Sequence, residues 1–157
     1  MTVFNLDNDA WVLAAPFRAH LHRLHDQSGL AWSVLALAAG VSPAAVRSLI
    51  AGRRGRPVRR IARQVACRLI SLDETRLRSL AGNQVVAAPT AERVRQLLAQ
   101  GWTPELLARW CHTTPSVLGG LGRALYCSEL LALRVEAAQL AHERAVVAAG
   151  RCTGRAA

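Results

Sequence analysis

The chain has 157 residues, 52% of them apolar, enough to build one ordinary domain or two small helical ones and too many for a disordered tail. Its twenty basic residues, all arginine, face ten acidic ones, and a net charge of +10 carried on phosphate-gripping guanidiniums favours a polyanionic partner such as nucleic acid. Arginine is also the residue that a GC-rich genome would favour.

Other classes recede on the same grounds. The N-terminal stretch Met1 to Asp9 is acidic where a signal peptide would be basic, and the apolar run from Leu30 to Val41 is broken by Ser33 and too short to span a bilayer. A cytoplasmic, nucleoid-associated protein is expected. Cys67, Cys111, Cys127 and Cys152 form no Cys-x-x-Cys pair, so neither a zinc site nor a disulfide framework is read. His20, His22, His25 and Asp26 cluster, but no second ligand set, nucleophile or paired carboxylates accompany them. No cofactor, metal or catalytic residue is assigned, and the chain is not read as an enzyme.

In chain order, residues 1–15 read as an arm. Pro16 opens a helix with Phe17, Leu21 and Leu24 on one face, ending at Gln27-Ser28-Gly29. Ser33 is expected to cap the next helix, through Ala39. Gly40 supplies the positive φ of a sharp turn, and Ser42 caps the following helix with Pro43 at its first position. Arg47, Arg53, Arg54, Arg56, Arg59, Arg60, Arg63 and Arg68 then follow with no acid between them. Ile61, Val65 and Leu69 make a further apolar stripe. Ser71 and Glu74 have capping-box spacing for a short helix through Leu77 and Leu80, closing a domain over 16–81. Residues 82–89 read as a linker.

The second half resembles the first. A shift of 72 residues lays Leu107 to Pro115 over Leu35 to Pro43, Leu118 over Val46 and Leu121 over Leu49. A leading helix from Thr90 to Gln100 turns Val94, Leu97 and Leu98 inward, and Thr103-Pro104 starts the next. His112 replaces the turn glycine, while Gly119, Gly120 and Gly122 replace Arg47, Ser48 and Ile50. Interior glycines weaken a helix by up to about 1 kcal/mol each, so two readings stand: a site for a partner chain or a DNA backbone, or a degenerate structural copy. The second unit spans 90–127, a C-terminal helix with Leu133, Ala137, Leu140 and Val147 spans 128–149, and 150–157 is a tail. Trp11, Trp32, Trp102 and Trp110 are read as packing anchors.

Leu35-Ala36-x-x-Ala39-Gly40-Val41-Ser42, continued by Val46, Leu49 and Gly52, resembles the helix-turn-helix of Cro and phage-repressor-type (Xre-like) regulators, in the style of actinobacteria and their phages. The resemblance covers residues 16–80 well and 90–125 loosely. The resemblance implies a sequence-specific DNA-binding protein, usually a transcriptional regulator and often a homodimer. The elements and the repeat together read as an all-α fold of two small helix-turn-helix bundles in tandem, joined by a short linker and followed by a C-terminal helix.

Residue chemistry refines this expectation. With the Ser42–Ala51 helix in a major groove, Ser42, Ala44, Ala45, Arg47 and Ser48 are the candidates for base edges, and Arg47 can fork onto guanine. Ser33 is placed for a phosphate. Arg54-Gly55-Arg56-Pro57 matches the core of an AT-hook, in which a slim glycine backbone enters an AT minor groove; the alternative is a phosphate-binding loop. Arg53, Arg59 and Arg60 complete the cationic set. Gly119, Gly120 and Arg123 are the candidate partner contacts. A nucleoid-type architectural protein and an antitoxin or polymerase-binding module remain as alternative functions.

Overall fold

The structure, a computed structural model, describes residues 10–153, with side chains through Arg151. It is mostly helical with short antiparallel strand pairs, and it divides into two compact units, 1–78 and 79–157.

In the first unit, strand β1 (Trp11–Leu13) leads into helix α1 (Ala15–Ser28), followed by α2 (Trp32–Ala38) and α3 (Pro43–Ala51). Strand β2 (Arg60–Ala62) then returns to pair with β1, Val12 opposite Ile61, and α4 (Arg63–Ile70) follows; α5 (Glu74–Gly82) spans the division between the units. The core gathers Leu21 from α1, Ala36 from α2, Val46 and Leu49 from α3 and Leu69 from α4 around Ala14 and Ile61. Each helix contributes only its inward stripe, as a small bundle requires. Gly29 ends α1 in the left-handed region at φ 66, its N–H bonded to the carbonyl of His25. Gly40 turns the chain between α2 and α3 at φ 70, and the Ser42 hydroxyl accepts from the Ala45 amide at 3.2 Å.

In the second unit the same order recurs: β3 (Gln84–Val86), α6 (Ala88–Ala99), α7 (Pro104–Trp110), α8 (Pro115–Gly120), β4 (Tyr126–Ser128) and α9 (Glu129–Thr153). Val85 pairs with Cys127, the counterpart of Val12 with Ile61. The turn between α7 and α8 holds His112 at φ 50 where the first unit has Gly40, and Thr114 caps α8 as Ser42 caps α3. Arg68 of α4 donates to the Gly40 carbonyl at 2.7 Å, and Arg134 of α9 donates to the Cys111 carbonyl at 3.2 Å. Each unit thus ties its turn to its last packed helix. Burial pushes the Cys111 thiol up to about 11 against the opposing pull of Arg134, whose own pKa burial lowers. The thiol is therefore protonated at neutral pH, whereas Cys67 is exposed.

Several expectations are corrected. The expected helical architecture holds, and strand pairs add to it whose three-residue runs are too short to show alternation in sequence. Trp11–Leu13 is strand rather than arm and 150–153 continue α9 rather than forming a tail; residues 1–9 of the arm and 154–157 of the tail lie outside the described residues. Residues 82–89 are no linker, because they finish α5, form β3 and begin α6. Ser33 lies inside α2, whose N-cap is Ala31 with no side-chain cap. The Ser71 capping box does not form: the Asp73 carboxylate accepts from the Arg76 amide, and the Ser71 hydroxyl donates to the Arg68 carbonyl. In α9 the residues that enter the core are Leu131, Val135 and Ala138; of the expected stripe Ala137 is buried, Leu133 and Leu140 are half-buried and Val147 is exposed. Only two of the three glycines are helical, closing α8, with Gly122 beyond it.

The tryptophans divide. Trp32 stacks on His25 at 4.0 Å between ring centroids and meets His22 edge-on, while the Trp102 indole N–H donates to His142. Trp11 and Trp110 are exposed and anchor no core. His20 bonds the Leu72 carbonyl and His25 that of Leu30, so both tie helix α1 to neighbouring chain.

Candidate nucleic-acid interface

Helix α3 buries Val46 and Leu49, which leaves Ala44, Arg47 and Ala51 exposed at helical spacing on its outer face. Ala45 and Ser48 occupy one flank, half-buried, and Ser42 is exposed at the N-terminus. Small residues on either side of Arg47 leave its guanidinium unobstructed. No hydrogen bond or ion pair engages that guanidinium among the described residues.

Beyond α3, Gly52 at φ 81 turns the chain into a two-residue reversal. Arg53 and Arg56 exchange backbone hydrogen bonds, Arg53 N–H to Arg56 carbonyl at 2.8 Å and the reverse at 3.0 Å. Arg54 and Gly55, at φ 50 and 74, are the central pair, so the reversal is a type I′ turn. Asn or Gly is the usual first residue of such a turn. An arginine there stores about 1 kcal/mol of backbone strain, an outlier that invites a functional reason.

This geometry alters the AT-hook reading. In the free chain Arg54-Gly55-Arg56-Pro57 is folded back on itself rather than extended, and Gly55 supplies a positive φ rather than a slim ribbon. The hairpin instead spreads guanidiniums from its tip and both its legs. Arg53, Arg54, Arg56, Arg59, Arg60 and Arg63 are all exposed, and none has a side-chain hydrogen bond or ion pair among the described residues. Arg68 leaves the expected run, being held by the Gly40 carbonyl.

Among its described residues the second unit has no such hairpin. The register between the units is 72 residues from Leu49 to Leu121 but 66 from Ile61 to Cys127, so the second connection is six residues shorter. Those residues correspond to the arginine turn. On α8, Gly119 and Gly120 are exposed, and a Cβ on either would meet nothing within 4 Å, so no close approach inside the chain requires them. Arg123 is exposed, its amide bonded to the Gly120 carbonyl.

The structure therefore brings Ala45, Ser48, Arg53 and Arg60 to one cleft and sets Arg47 and Ala44 on the adjoining outer face of α3. Ser33 is half-buried in the first turn of α2.

One residue escaped sequence reasoning. Arg18 of α1 donates from Nε to the Leu49 carbonyl at 2.8 Å and from a terminal nitrogen to the Val58 carbonyl at 2.7 Å. It locks the end of α3 to the outgoing leg of the arginine loop, so the helix and hairpin are positioned together. Its only sequence signal is its place next to Phe17 and three residues before Leu21, beside the inward stripe of α1.

Among the described residues no helix is long and apolar enough to cross a membrane, and no group of His, Cys, Asp or Glu is placed to hold a metal ion. The chain matches no known protein family, no characterised protein and no solved structure.

Proposed function

We propose that the protein is a sequence-specific double-stranded DNA-binding transcriptional regulator, acting at the nucleoid. The first unit is the reader, a helix-turn-helix that inserts α3 into the major groove. Arg47 meets base edges, Ala44 and Ala45 admit a thymine methyl, and Ser42 and Ser48 reach bases or adjacent phosphates. The hairpin holds phosphates through Arg53, Arg54, Arg56, Arg59 and Arg60, with Gly55 shaping its tip, and Ser33 adds a contact from α2. The observation that carries this reading is the acid-free set of exposed, unpartnered guanidiniums fixed directly against the exposed face of α3.

A second role falls to the second unit, read as a divergent helix-turn-helix used for contact with a partner protein or a second copy. Leu106, Trp110 and Val117 are between 45% and 49% exposed there, and the Gly119–Gly120 end of α8 presents bare backbone. Val146 and Val147 of α9 add exposed apolar surface suited to a homodimer.

Competition binding tests the regulator against an architectural protein. With a duplex selected from a random library as probe, a regulator retains it against excess random duplex at physiological salt, by a specificity ratio of about a thousandfold or more. Displacement in proportion to mass alone would instead mark an architectural protein.

A further inference from the structure

Between α3, β2 and α4 of the first unit lies a cleft of about 200 Å³. Its buried lining comes from the core residues Leu49, Ile61 and Leu69, and half-buried Val58 and Val65 extend the apolar surface outward. Trp11, 61% exposed on β1, adds an indole that the fold does not consume. Arg53 and Arg60 are the charged residues of the lining, and no carboxylate accompanies them. Their guanidiniums have no partner among the described residues.

We propose that this cleft binds a small aromatic monocarboxylate. A volume below the roughly 300–1,000 Å³ of ordinary ligand pockets limits the occupant to about one ring system with a short acidic arm. The apolar lining and the free indole favour an aromatic body, which stacks or packs edge-on against Trp11. Two unneutralised guanidiniums favour a carboxylate, which a planar fork grips with paired hydrogen bonds. A nucleic-acid phosphate could reach the same arginines but would leave the apolar lining unfilled.

The site also implies regulation, a consequence that rests on the DNA-binding reading. Ser48 of α3 lines the cleft, and Arg53 and Arg60 are shared with the proposed phosphate contacts. Ligand and duplex then compete for the same guanidiniums, and each weakens the other by the same factor.

The experiment titrates the full chain, free of DNA, with benzoate, phenylacetate and indole-3-acetate, and with uncharged phenylacetamide as control. Tryptophan fluorescence and backbone amide shifts are followed. The expected result is saturable binding of at least one acid, with shifts at Ala45, Val58, Ala62 and Val65 and an affinity at least about tenfold above that of the amide. Arg60→Gln, an exposed and unpartnered position, removes that advantage without unfolding the chain, and Trp11→Leu abolishes the fluorescence change. Absence of saturation up to about 10 mM, equal binding of acid and amide, or shifts confined to other surfaces overturns the site. A second arm adds the bound acid to a protein–duplex complex at constant ionic strength. Release of duplex supports the coupling, undiminished retention overturns it, and a protein that binds acid but no duplex overturns the DNA reading while upholding the cleft.

Discussion

Replacing Arg54 with Asn and both Arg56 and Arg59 with Gln is expected to weaken duplex binding about a hundredfold or more at physiological salt, with the fold intact. The three guanidiniums are exposed and partnerless, so no internal bond is lost. Asn suits φ 50 at the first position of a type I′ turn better than Arg, so the turn itself gains a little stability. The effect is therefore electrostatic. With five phosphates neutralised by the parent's hairpin arginines, the expected slope of log affinity against log salt is about −4.5, and removing three contacts should bring it to about −2. Fluorescence anisotropy across a salt series, with circular dichroism to verify folding, reads both quantities. A folded variant with the parent's affinity and slope contradicts the hairpin's role.

Gly52→Ala is expected to destabilise the first unit by about 3 kcal/mol. A Cβ there would stand 2.4 Å from the Arg56 carbonyl oxygen and 3.0 Å from its carbon, both backbone atoms that cannot rotate away. The residue also sits at φ 81. Either α3 loses its last turn or the hairpin swings off it, and the second outcome separates the clamp from the reader. Gly55→Ala is the control, because φ 74 is equally unsuited to a side chain but no atom lies within 4 Å of the new Cβ. It should cost about 1 kcal/mol. Thermal melts of the two variants compare them directly, the Gly52 variant melting more than about 8 °C below the Gly55 variant. Equal melting temperatures would show that the hairpin does not pack against Gly52 as described.

Much of the first unit is legible in its residues, because local chemistry dictates it. Pro16, Gly29, Gly40, Ser42 and Pro43 specify helix ends and turns through φ and capping alone, and the structure places them in those roles. The 72-residue repeat survives as a common order of elements and as paired caps at Ser42 and Thr114. What was not legible depends on distant partners. The strand pairs rest on contacts between Trp11–Leu13 and Arg60–Ala62, far apart in the chain, and three residues cannot display a two-residue period. Arg18 draws no reading and Arg68 reads as one of the cationic run, yet both are fixed by backbone carbonyls 28 to 40 residues away. The arginine turn illustrates the opposite error. Its four letters match a minor-groove element, but a pair of backbone hydrogen bonds between Arg53 and Arg56 sets its shape.

Sequence-specific binding, as proposed, rests on α3 reading bases through Arg47. Selection of bound duplexes from a random library, carried out in parallel with the parent and with folded Arg47→Ala, tests it at single-base resolution. A defined motif is expected for the parent, and for the variant the same motif with one guanine position relaxed by about 1–3 kcal/mol. Identical motifs from both proteins, or no enriched motif from the parent, would contradict it.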